Sequence, residues 1–226
     1  MSLGNNQKTW NKQQKEFRQT LLGYKQHEKA MEMFLCQHAV LHAQEMAGSE
    51  AWSYEDELLE DLSDAQARII PKGGEHSIVW VLWHAARIED VTMNILVAGK
   101  PQCFTEEDWR RRLNVNVDHT ANAMEAEEIA ALSKMVDISA LRAYRLAVGR
   151  NTRENGSQLT AADVRQKVDP ARIQRVVAEG AVLKEAHSIV EYWSKRNIAG
   201  LLLMPPTRHS FLHLNEAARI KQKVMR

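Results

Sequence analysis

The stretch "SIVWVLWHAARIEDVTMNILVAG", residues 77–99, decides the fold. It is the most apolar segment of the chain and is rich in residues that hold a helical turn. It closes on a glycine suited to a C-terminal stop. The reading is a long helix over residues 77–98, apolar enough to be buried. A helix of that kind needs other helices to bury it, and the rest of the chain supplies them.

Toward the N-terminus, Phe17, Leu21, Tyr24, Met31, Phe34, Leu35, His38, Leu41 and His42 recur at three- and four-residue spacing. That spacing predicts a helix over residues 9–46 with a break at Gly23. Toward the C-terminus, Asp137 caps a third long helix that runs to Gly156. A fourth begins after "MPP" with Thr207 as its N-cap and runs to about Val224. Shorter capped pieces lie between: Ser53 starts an acidic helix, and Thr105 starts "TEEDWRRRL". Thr160 and Asp169 cap short helices of a crossover, with Pro170 at a first helical position. "NIAGLLLMPP" reads as an apolar connector. No alternating pattern predicts a strand ladder. The fold class is therefore all-α: a four-helix bundle with a crossover connection and additional short helices.

Composition narrows the function. The 226 residues carry 30 Lys+Arg against 29 Asp+Glu, a net charge of +1, with 44% hydrophobic and 26% charged residues. This balance argues against a nucleic-acid footprint, and no apolar run approaches the ~18 residues of a membrane span. Residues 1–8, "MSLGNNQK", read as a flexible start without the apolar core of a signal peptide, and residues 9–226 as one helical domain. Two cysteines, Cys36 and Cys103, at no ligand spacing, suit a reducing cytoplasm. Cys36 reads as a core residue and Cys103 as a loop thiol.

Nine histidines carry the chemistry. His209 and His213 stand one helical turn apart, as do His38 and His42. Imidazoles at i and i+4 share a helix face and can converge on one ion. The spacing alone is a weak signal, since about 0.35 such pairs arise by chance in a chain of this make-up. His84, set among Trp80, Leu82 and Trp83, reads as inward-facing. It is either a core histidine with a local partner or a third ligand delivered across the bundle.

The stretch "SIVWVLWHAARIEDVTMNIL" resembles the second-helix motif of the DinB-like superfamily, the YfiT-like metalloenzymes. That motif is a tryptophan-rich run, a histidine, then an Arg-Ile/Glu-Asp group. "RHSFLHLNEA" resembles the same superfamily's last-helix H-x-x-x-H, and the order of the motifs agrees over residues 9–224. The resemblance implies a four-helix bundle holding a divalent metal, zinc or nickel, on His84, His209 and His213. It also implies a metal-activated water or low-molecular-weight thiol acting on a small-molecule substrate, as in relatives that use mycothiol, bacillithiol or glutathione. The chain departs from the pattern where Leu214-Asn215-Glu216 replaces an Arg-Gly-Gln-like group.

Glu89, Asp90 and Glu216 are candidates to orient the imidazoles, although Glu89 and Asp90 read better as a solvated helix face. His38 or His42 would be a fourth ligand or an acid/base, or would lie outside the site. Arg208 is a candidate anion contact or, by preference, an exposed surface residue. Arg142, Arg145 and Arg150 form either an anion patch or, by preference, a solvated face. Trp80 and Trp83 read as core. A non-catalytic, stress-linked or dimeric binding protein stands as the alternative.

Overall fold

The computed structural model describes residues 3–48 and 50–226. Among them the secondary structure is helical, with one isolated antiparallel bridge between Lys167 and Asn197 and no strand. Five helices carry the architecture: α1, Leu3–Gly23; α2, His27–Ala39; α3, Ile78–Asp90; α4, Ile138–Ser157; and α5, Ser210–Val224. No helix among the described residues is long and apolar enough to cross a membrane.

All 13 residues of α3 are buried. The Ser77 hydroxyl caps it by accepting from the Trp80 amide. It continues into a π-helical segment, Val91–Ala98, which Gly99 ends in the left-handed conformation at φ 70. A helix apolar on every side must be surrounded. Here α4 and α5 pack on α3, helix Ala126–Met135 adds a further cover, and helix Pro170–Ala178 packs on the π segment. Helix α2 in turn packs on α4. The set α2–α5 is compatible with a four-helix bundle. Helix α1 lies along α2 and is tied to α5 by Trp10 stacked on Phe211 (centroids 3.9 Å, 7°). Each large apolar side chain removed from water here contributes roughly 1.5–3 kcal/mol.

Two buried arginines are paired with buried carboxylates. On α3, Arg87 donates to Asp90 (3.0 Å), to Gln102 and to the Asp118 carbonyl, while Asp90 accepts from the Cys103 and Phe104 amides. This network fastens the connection after α3 against the helix that precedes it. Arg145 likewise makes a buried ion pair with Glu55 (2.8 Å) and is not part of a solvated face or an anion patch.

Several boundaries differ from the sequence reading. The first helix is a hairpin: Tyr24 takes φ 54, the chain reverses, and Phe17 of α1 meets Phe34 of α2. Helix α1 starts at Leu3, so residues 3–8 are helical, and Gln7 donates to Tyr54 and Asn215. Residues 1 and 2 of the expected flexible start lie outside the described residues. Thr105 is not a cap, because its short helix spans Cys103–Glu106 and a second follows at Trp109–Arg112. The apolar connector is helix Ile198–Leu202, capped by the Asn197 side chain on the Gly200 amide. A π segment, Met204–His209, follows it and takes Pro205 and Pro206 into its first turn. Thr207 therefore sits inside helical structure, and its hydroxyl donates to the Leu202 carbonyl. The cysteines exchange their expected places. Cys36 is exposed, Cys103 is buried, and both are free. Burial pushes the Cys103 thiol above its ordinary pKa, which makes it inert.

Candidate metal centre

Three elements deliver three imidazoles to one point. His84 comes from the middle of buried α3, His209 from the last position of the π segment, and His213 from the first turn of α5. One nitrogen of each lies within 4.8 Å of the others, and His84 Nε2 is 3.3 Å from His209 Nε2. The ring centroids are 4.4–5.1 Å apart.

Hydrogen-bond partners assign the tautomers. His84 Nδ1 lies 2.5 Å from the Thr120 carbonyl, which only accepts, so Nδ1 carries the proton and Nε2 presents a lone pair to the cluster. The Thr120 amide is itself held by the Ala181 carbonyl at 2.9 Å. His213 Nδ1 donates to Glu216 (3.0 Å), so Nε2 is the nitrogen it has left for the cluster. His209 Nδ1 is buried without a hydrogen-bond partner. Carbonyl and carboxylate partners behind ligand imidazoles are the usual outer contacts of a metal site.

The electrostatics agree with a ligand role. Burial, reinforced by His213, lowers the His84 pKa to about 3. Burial, reinforced by His84 and His213, holds His209 well below the ordinary imidazole value. Both are neutral at pH 7, the state in which an imidazole can ligate. For Glu216, burial opposes ionisation, but hydrogen bonds from His213 and His76 outweigh it, and the carboxyl stays below the usual range. Three imidazole nitrogens with carbonyl and carboxylate support fit a divalent transition metal.

The wall of the site is aromatic. Trp80 stacks on His84 (4.9 Å, 7°) and on His76 (3.7 Å, 3°), and His76 Nδ1 donates to Glu216 at 2.7 Å. Trp80 and Trp83 are both core, and Trp80 also packs directly on a candidate ligand. His76 was not singled out from the sequence. It precedes the Ser77 cap of α3, and nothing in the sequence before the helix marks it. Thr120 carried no signal, because its role uses only the backbone carbonyl. Arg208 reaches α1 instead, donating to Asn11, and lines a cavity of about 340 Å³ with Lys15, Arg18 and Arg196.

His38 and His42 do not join the three. They meet Glu89, at 2.7 and 3.1 Å, in a second cluster that is fully buried. The expectation that Glu89 and Asp90 face solvent is thus wrong: both are buried, each against partners from distant parts of the chain.

Residues 47–204 match the DinB superfamily. The chain belongs to the DinB superfamily. The matched part of this DinB-superfamily chain contains His84, Glu89 and Thr120; His209 and His213 lie past its end, and His38 and His42 before its start. No curated protein matches the chain in sequence.

Proposed function

We propose that this DinB-superfamily protein is a divalent-metal-dependent enzyme, with His84, His209 and His213 as the ligands of zinc or nickel. The observation that carries the reading is the convergence of three imidazoles whose outer nitrogens are committed to Thr120 and Glu216 or, for His209, are buried. His209 and His213 are partly exposed, so the cluster reaches solvent on one side. Three protein ligands with room for another are the catalytic pattern, whereas four closed ligands are the structural one. A divalent ion bound there supplies Lewis-acid chemistry, lowering the pKa of a water or thiol that reaches it.

The chain's own residues do the positioning. Thr120 fixes the His84 ring, Glu216 fixes that of His213, and Trp80 shapes the adjoining wall. The substrate is a small molecule, and the reaction is a transfer from a low-molecular-weight thiol or a hydrolysis. The setting is the cytoplasm, in keeping with two free cysteines. Neither nucleic acid nor membrane is a partner in this reading. Analytical ultracentrifugation distinguishes monomer from homodimer.

Metal analysis of protein purified without a histidine tag is the test. A stoichiometric divalent ion that the His84→Ala variant loses supports the proposal, and thiol-dependent turnover of electrophilic test compounds by the loaded protein extends it. Protein that retains no ion, and whose melting is unchanged by chelators, leaves the non-catalytic bundle as the better reading.

A further inference from the structure

We infer that His38, His42 and Glu89 form a second divalent-cation site, enclosed in the helical packing, that ties α2 and the turn after it to α3. The inference does not depend on the triad being a metal site. The three residues come from two places in the chain, His38 at the end of α2 and His42 three residues past it, against Glu89 near the end of α3. Their ligand-capable atoms lie within 4.8 Å of one another. His38 Nε2 faces one carboxylate oxygen of Glu89 at 2.7 Å, and His42 Nε2 faces the other at 3.1 Å. The two rings are 4.5 Å apart, and all three side chains are at most 1% exposed.

Charge balance makes this cluster different from its neighbours. Asp90 and Glu55, also buried, each have a buried arginine, Arg87 and Arg145. Among the described residues Glu89 has no such partner, and its ion-pair contacts are the two imidazoles. The Arg153 guanidinium, which acts electrostatically on His38, donates to the Leu35 carbonyl. A buried carboxylate without a cation is costly, and a divalent ion offsets it. In each ring Nε2 is the nitrogen turned to the carboxylate, while Nδ1 of His38 and of His42 is buried with no partner.

Two imidazoles and one carboxylate are a ligand set for zinc, and for manganese or iron. The set has three ligands, one short of a closed structural site, but with all three side chains at most 1% exposed no substrate reaches it, so this ion acts as a tie between helices, in contrast to the partly exposed triad.

The test strips the untagged full-length protein with chelator, loads it with excess Zn²⁺, removes free metal by gel filtration and counts zinc per chain. Wild type is expected to hold two ions, and Glu89→Gln and His213→Ala one each. A wild type with one ion that Glu89→Gln keeps and His213→Ala loses overturns the inference and spares the triad. One ion lost by Glu89→Gln and kept by His213→Ala upholds the inference and removes the triad. No zinc in wild type overturns both. Should Glu89→Gln fail to fold, anomalous diffraction at the zinc edge from wild-type crystals decides. A peak roughly 2.0–2.2 Å from Glu89 and His38 upholds the site, and the absence of one there overturns it.

Discussion

Glu216 and Glu89 show how much a carboxylate's meaning depends on what reaches it. Glu216 is part-exposed and bridges His213 and His76; Glu89 is sealed in the core between His38 and His42. For Glu89, burial disfavours the charge, yet the two imidazoles hold the carboxyl well below its usual pKa. If Glu216 orients a ligand ring, Glu216→Gln should leave the fold intact and weaken metal binding at the triad about 10–100-fold, the range for outer-shell partners. Competition against a chromophoric chelator measures this, and an unchanged affinity would remove Glu216 from the site. At this scale the sequence was informative where a residue contradicts its surroundings. His84 stands out because imidazole in an apolar run needs partners, and His209 and His213 because one turn separates them. Glu89 did not stand out: a Glu-Asp pair late in a helix looks solvated, and only packing from both neighbouring sides buries it. The Thr120 carbonyl is invisible by nature, since every residue has one.

Helix existence was legible and helix ends were less so. The run over residues 77–98 declares itself through composition, and Asp137, Asp169 and Gly99 terminate helices as their chemistry requires. The prolines at 205 and 206 misled because an interior proline normally breaks an α-helix. The π segment accommodates them at its start, so the chain runs from Leu203 into α5 without a fresh cap. Close helix contacts were equally hidden. Gly156 of α4 lies against α2, where an added Cβ would stand 2.6 Å from the buried Phe34 ring; an added Cβ at Gly4 of α1 meets nothing within 4 Å. Both Gly→Ala changes gain helix propensity, up to ~1 kcal/mol. At Gly156 overpacking, typically ~1–3 kcal/mol, wins. Gly156→Ala should therefore lower stability by about 1–2 kcal/mol, and Gly4→Ala should raise it by a few tenths up to ~1 kcal/mol. Urea denaturation of the two variants checks both signs, and equal effects would mean that α2 and α4 are not packed as closely as described.

The whole molecule concentrates neutral histidines in its interior, and this sets its response to acid when metal-free. Burial lowers His38 to about 4 against the opposing pull of Glu89, and lowers His84 to about 3. In the unfolded chain both return to about 6.5. Above that pH neither state binds the proton, and stability does not change with pH on their account. As pH falls below ~6.5 the unfolded chain takes up protons that the folded one refuses, so stability drops by up to ~1.4 kcal/mol per pH unit for each such histidine. The loss continues until the folded groups titrate, near pH 4 for His38 and lower for His84. For His38 the total approaches ~3 kcal/mol. Against a typical total of ~5–15 kcal/mol these terms are decisive. The metal-free protein should have a urea midpoint that is level between pH 8 and 7 and falls steadily from pH 6.5 to 4.5. Loading with zinc at pH 7 should raise the midpoint, because the ion binds only the folded arrangement. A metal-free midpoint that stays level down to pH 5 would mean that these imidazoles are hydrated in solution, and the enclosed packing around α3 would then have to be abandoned.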